Sequence, residues 1–265
     1  MSGQPNRPNL INPIKWQTEN LLAAIEYGAK KLFFSVDRKN MNRRPLTESL
    51  DDKIMGEIAT VAVVEYLRSV QVQAASYDQF RVDRFERPDP GWDIVFGPGT
   101  YAWIKGEALS DERPTAMKTG SIKSSRLPKG DSLRSAVDKR DFKILVKPGE
   151  PLEQALTADY EMQVYFKREN SWTPKGVQIT ADEVNGCIEA RKNCTVVLEK
   201  LKIVERFGTC WLTAWGGREQ IVAQSATLKQ RQWTSYHVGS GKKMWCAPLR
   251  NGQDFKLIQN EVTNK

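Results

Sequence analysis

Apolar positions recur at helical spacing near the N-terminus and at alternating spacing through much of the chain beyond residue 90. From Trp16 to Lys31 the residues Leu21, Leu22, Ala23, Ala24 and Ile25 sit among charges at a period close to 3.6, which predicts a helix. A second helix is predicted from about residue 47. Thr47 and Ser49 offer N-caps, Asp51 and Asp52 suit the positive end of the helix dipole, and Ile54, Ile58 and Val61 recur at i, i+4 and i+7. On that wheel Glu57 and Glu65 fall on the apolar side, so both carboxylates are expected to face inward.

The pattern then turns to β. The turn Arg87-Pro88-Asp89-Pro90-Gly91 excludes regular structure, and the runs Trp92 to Phe96 and Tyr101 to Ile104 flank Gly97-Pro98-Gly99-Thr100 as a hairpin would. A strand from about Met117 to Leu127 is stopped by Pro128-Lys129-Gly130. Asp131 or Ser132 can cap a short helix through Lys139, and Asp141 to Val146 reads as the next strand. Strand, helix, strand in that order predicts a right-handed crossover within one sheet. Ala158 to Phe166 alternates Tyr160, Met162, Val164 and Phe166 with Asp159, Glu161, Gln163 and Tyr165, the pattern of an amphipathic strand. Thr209 to Trp215 and Gln220 to Ala223, joined by Gly216-Gly217-Arg218, predict a second hairpin, while Glu183 to Val204 fits a helix or a long strand. The segment with Arg231, Trp233, Lys242, Lys243 and Trp245 is a basic and aromatic surface or a strand pair with core tryptophans. The sum is an α/β (α+β) chain, read as a single domain over 1–265 with a β-rich part from about residue 150.

Composition narrows the function. Forty Lys and Arg against 32 Asp and Glu leave a formal charge of +8 and a pI near 9.3, which favours a polyanionic partner. No run of about 18 apolar residues is present and the first 13 residues are polar, so no membrane association and a cytoplasmic location are expected. Cys187, Cys194, Cys210 and Cys246 have neither CxxC spacing nor the density of a secreted domain, and are expected to be buried free thiols. The lone His237 is expected to be structural rather than a general base. No GxxxxGK[ST] sequence occurs, and the absence of a nucleotide-binding signature argues for a self-contained enzyme.

Two residues stand out chemically. Asp93 opens an apolar strand, and Lys123 lies within Ser121-Ile122-Lys123-Ser124-Ser125-Arg126, so a carboxylate and an ammonium can meet at one part of a sheet. Either charge in such a setting carries a desolvation penalty that needs a partner. A carboxylate there can hold a hard cation such as Mg2+, and a lysine can orient a water or neutralise charge on a phosphate.

The order helix with inward Glu57, strand opening at Asp93, strand with Lys123, helix, and strand opening at Asp141-Phe142 resembles the PD-(D/E)xK nuclease superfamily, whose best-known members are type II restriction endonucleases. The resemblance spans about residues 47–147. It implies a restriction-endonuclease-like core with a mixed central sheet flanked by helices, Mg2+-dependent cleavage of double-stranded DNA, and a homodimer. Carried over, Asp93 is the metal-binding aspartate and Lys123 the catalytic lysine. The acid expected two residues before the lysine is replaced by Ser121. Glu107, Glu57 and Asp138 are candidates to supply it, Glu107 foremost, because the hairpin strand would return it beside Asp93. A rival assignment takes Trp103-Ile104-Lys105 as the motif strand, with Lys105 as the lysine. Arg126, Lys129, Arg134 and Lys139 flank the site as phosphate contacts. Two other readings stay open: a non-catalytic DNA-binding module of the same fold, and a structure-specific repair or recombination nuclease.

Overall fold

A computed structural model describes residues 9–10, 17–34, 44–81, 83–87, 89–97, 117–128, 130–133, 135–136, 141–145, 151–167, 173–226, 234–238 and 242–263. Helix α1 runs Thr18–Phe34 and α2 runs Leu46–Ser69. Pro45, not Thr47 or Ser49, is the N-cap of α2; both hydroxyl residues lie inside its first turn, buried, and Thr47 Oγ1 accepts a hydrogen bond from the Ile179 backbone N–H at 3.2 Å. Proline suits that boundary because it lacks the N–H that a helix start leaves unpaired. The two helices approach closely at Gly28, where a Cβ would come within 3.0 Å of the Ile54 side chain. Glu57 is buried as expected; Glu65 is half-exposed and pairs with Arg68 on the same helix.

A six-stranded sheet carries the molecule. Its strands are β1 (Asn9–Leu10), β2 (Gln73–Ser76), β3 (Ile94–Gly97), β4 (Lys118–Arg126), β6 (Tyr160–Phe166) and β7 (Cys210–Gly217), in the order β1-β7-β6-β4-β3-β2. β2, β3 and β4 form an antiparallel meander, β4 and β6 are parallel, and β7 returns antiparallel to β6. The chain is therefore a mixed α/β structure with a central sheet flanked by helices. Strands from both sides of residue 147 share that sheet. β5 (Asp141–Leu145), β9 (Lys242–Pro248) and β8 (Thr234–Val238) make a second, antiparallel sheet.

Several expectations change here. β3 has β2 on one side and β4 on the other; the hairpin strand expected at Tyr101 to Ile104 lies outside the described residues. Likewise β4 is bounded by β3 and β6, and β5, expected beside it, turns away to pair with β9, where Phe142 and Ile144 bury against Leu127, Trp211 and Ile221. Residues Arg218–Ala226 form a helix rather than the second arm of a hairpin. The ambiguous 183–204 stretch resolves into short helices, Ala181–Glu189, Cys194–Lys200 and Ile203–Phe207, the first held by a capping box between Thr180 and Glu183. The expected helix after Asp131 starts with Ser132 Oγ accepting from the Ser135 N–H. All four cysteines are free and buried.

The two faces of the main sheet differ. One packs under α1, α2 and the 181–207 helices through Ala74, Ile94, Phe96, Ile122, Met162 and Val164. The other is apolar at its two ends only: Ala75, Trp92, Val95, Met117 and Ala158 cluster at one, and Leu127, Tyr165, Trp211 and the second sheet at the other. Between them lies a polar strip.

Candidate functional site

The strip follows from strand register. Ile94 pairs with Gly120 and Val95 with Thr119, where the ladder of β3 with β4 ends, and Asp93, the next residue, is held beside Ser121 by its own hydrogen bonds to β4; on the far side of β4, Ser121 pairs with Glu161 of β6. Side chains alternate faces along a strand, so Asp93, Ser121 and Glu161 form one row across three strands, with Lys123 and Gln163 in the next row on the same face.

Hydrogen bonds tie the row together. Asp93 N–H donates to the Gly120 carbonyl at 2.8 Å, and Asp93 Oδ2 accepts from the Ile122 N–H at 2.6 Å, which clips the carboxylate to the β4 backbone between Ser121 and Lys123. Lys123 Nζ donates to Ser121 Oγ at 2.7 Å, and the Ser121 hydroxyl bonds the Glu161 carboxyl. Gln163 supports the lysine's backbone: its Nε2 donates to the Lys123 carbonyl at 2.8 Å, while its Oε1 accepts from the Lys143 N–H at 3.2 Å and so links the site to the second sheet.

Glu161 is the residue that the amphipathic reading of β6 misplaced. All seven residues of β6 are buried, and Glu161 is 3% exposed. Burial pushes its carboxyl up to about 7, with the nearby Lys123 charge pulling it down, Asp93 pushing it further up and the Ser121 hydroxyl stabilising its charged form. Its Oε2 has no hydrogen-bond partner. Leaving a carboxyl oxygen buried and unpaired costs stability, and such costs concentrate at functional sites. A central strand in a two-faced core should carry apolar residues at such a position, and the charge at Glu161 was the available clue.

A second charged group flanks this row. Lys31 Nζ of α1 lies 2.7 Å from Glu57 Oε1, 2.6 Å from Asp78 Oδ2 and 3.6 Å from Asp89 Oδ2. Burial opposes the ammonium's charge, but these carboxylates, with Asp93 contributing, hold its pKa well above that of a free lysine. Glu57 is driven the other way for a carboxyl: burial, reinforced by the like charge of Asp78, raises it to about 8 against the pull of Lys31. Arg81 closes the cluster, donating to Asp78, Asp83 and Asp89 and stacking over Phe85 with its guanidinium carbon 4.3 Å from the ring centroid. The Tyr77 N–H donates to the Asp93 carbonyl at 2.9 Å, so Asp78 is one residue from the backbone of the site.

Of the expected site residues, Asp93, Ser121 and Lys123 come together and Glu57 stands beside them in the Lys31 cluster. Glu107, Asp138, Lys105, Trp103, Lys129, Arg134 and Lys139 lie outside the described residues. Arg126 is committed elsewhere. Its guanidinium bonds Asp51 at 2.6 Å and Asp52 at 3.2 Å, and Asp51 also takes Arg206, because a carboxylate 1% exposed at the start of α2 requires paired cations. A cleft of about 580 Å3 lined by Lys118, Tyr160, Trp215, Arg218 and Glu261 opens elsewhere and includes none of the row.

The charge of Asp93 acts on the Glu161 carboxyl across β4. Among the described residues no group of three or more His, Cys, Asp or Glu is placed to hold a metal ion. No helix among the described residues is long and apolar enough to cross a membrane. Comparison with protein-family models, with curated proteins and with solved structures gave no match to this chain.

Proposed function

We propose that this chain is a Mg2+-dependent endodeoxyribonuclease of the PD-(D/E)xK kind whose second acid, absent at Ser121, is Glu161 on the neighbouring strand. The observation that carries the reading is the buried Glu161 carboxyl, with one unpaired oxygen, in the same row as Asp93 and beside Lys123. The order α2, antiparallel β2-β3-β4, then parallel β6 accords with a restriction-endonuclease-like core.

Asp93 and Glu161 would hold the ion, which when bound supplies Lewis-acid activation of water and screens phosphate charge. The Ile122 N–H keeps the Asp93 carboxylate from turning away. Lys123, steadied by the Ser121 hydroxyl, offers a donor to the attacking water or to a non-bridging phosphate oxygen as negative charge grows there. Because Glu161 carries a proton below about pH 7, ion binding has to displace it, so divalent affinity falls as pH drops through that value. The charge of +8 suits a DNA backbone, and cutting both strands of a duplex calls for two such sites, as in a homodimer.

The test is incubation of the protein with long unmethylated duplex DNA, with Mg2+ or with EDTA. Discrete fragments only with Mg2+, lost in Asp93→Ala, Glu161→Gln and Lys123→Met, are expected of a type II restriction endonuclease. Cleavage confined to branched or mismatched duplexes would assign a repair or recombination role instead. Intact DNA together with undiminished binding in EDTA would leave a non-catalytic DNA-binding module.

A further inference from the structure

Lys53 has no ion-pair partner among the described residues, although the charged groups around it do. It lies one turn before Glu57 on α2, so the two share a side of the helix. Lys31 takes the Glu57 and Asp89 carboxylates, and Asp52 takes both Arg44 and Arg126. Lys53 itself is half-buried. Burial first, then the like charges of Lys31 and Arg44, pull its ammonium below an ordinary lysine, against the opposite pull of Asp89 and Glu57. Asp93 acts on the same Lys31 and Asp89, which puts Lys53 at the edge of the polar strip. That edge is open to water: the side chains of Asp52, Asp89 and Arg126 are 39%, 33% and 32% exposed.

Resting on the duplex-binding part of the reading above, we propose that Lys53 is a phosphate contact: its ammonium takes a non-bridging backbone oxygen of the DNA strand whose scissile phosphate lies at Asp93 and Lys123. It fills from α2 the part expected of Arg126, whose guanidinium is committed to Asp51 and Asp52. A cation partly stripped of water and set beside like charges gains more from an arriving anion than a fully solvated lysine does. The contact carries no sequence information; it fixes where the strand runs. A lysine that only covered apolar surface with its stem would matter to stability and not to the salt dependence of binding.

The test is binding of a short fluorescein-labelled DNA duplex in EDTA, followed by anisotropy over a series of NaCl concentrations, with thermal melting of each protein. Lys53→Met is expected to make the slope of log affinity against log salt shallower by about 0.9 for each protomer bound, the counterion released by one phosphate contact. Lys53→Arg should keep the wild-type slope. Lys192→Met, at an exposed lysine of the turn Arg191–Asn193, removes the same net charge and should also keep it. Because Lys53 has no partner to strand, Lys53→Met should melt no lower than wild type; should it fail to fold, Lys53→Gln is read in its place. A slope equal to that of wild type, or a change no larger than that of Lys192→Met, overturns the proposal. The nuclease reading fails differently: a duplex bound with the Lys53-dependent slope but left uncut with Mg2+ refutes cleavage and supports the contact, whereas a wild type that binds no duplex overturns both.

Discussion

Glu57 and Glu161 are both buried carboxyls pushed up by the loss of solvent, to about 8 and about 7, yet the protein treats them differently. Glu57 has an ammonium at 2.7 Å and belongs to a cluster in which Lys31 and Arg81 answer four acids. Glu161 has only the Ser121 hydroxyl and the more distant charge of Lys123, and one of its oxygens is unpaired. The first arrangement holds helix α1 to the end of the sheet. The second leaves binding capacity unused in a strip that the two apolar clusters on either side decline to fill. Burial alone therefore does not distinguish these two acids; the state of their hydrogen bonds does.

Substitutions can break that contrast. The largest effect is expected in cleavage: Glu161→Gln should lower Mg2+-dependent DNA cutting by at least about a hundredfold through loss of a metal ligand, whereas Glu57→Gln should stay within about tenfold of wild type. Equal losses in the two, measured as initial rates on one duplex, would erase the distinction between the two acids.

Stability should separate them in the opposite sense. Lys31→Ala strands Glu57 and Asp78 without their ammonium and is expected to cost about 3 kcal/mol in urea unfolding, a typical penalty for breaking a buried pair. Glu161→Gln should instead stabilise the metal-free chain at high pH. The folded-state value of Glu161, about 7, lies above its ordinary 4.5, so between those values the folded chain keeps a proton that the unfolded chain releases. Its contribution to stability is therefore greatest below pH 4.5 and is lost as pH rises through 7. The melting temperature of Glu161→Gln in EDTA should exceed that of wild type at about pH 8 and converge with it near pH 5.

The smallest expected effect lies at Ser121. If Glu161 supplies the acid, Ser121→Ala should reduce cleavage only about tenfold, as loss of a hydroxyl that orients a neighbour does. Ser121→Asp, made in the Glu161→Gln background, should restore part of the Mn2+ binding by returning a carboxylate to β4. No recovery in a folded double variant would mean that the row between Asp93 and Glu161 is not where the ion sits.

Much of the site was legible because it depends on local sequence. Asp93 precedes an apolar run, Lys123 lies two residues after Ser121 on one strand, and Ile54, Ile58 and Glu57 share one turn of α2; each of these is a statement about periodicity within an element. β2 was hidden by brevity: Gln73–Ser76 is four residues of weak β character, and it becomes a strand by pairing with β3. Glu161 was hidden by its own regularity. Asp159, Glu161 and Gln163 alternate with apolar residues as a solvent-facing edge would, and only the presence of β4 and β7 on either side, with the second sheet alongside, turns that polar face into an interior.

The sequence by itself determined the mixed class of the chain, the main helices and strands, and the placing of Asp93 and Lys123 near one another on the sheet. Tertiary structure decided which strands became neighbours. β4 took β6 as its parallel partner, while β5 left for the second sheet, and that choice set Glu161 across from Ser121. The physical reason is that a strand's side-chain period states which residues share a face but not whose face lies alongside. Partner choice is settled by long-range burial that no window along the chain contains.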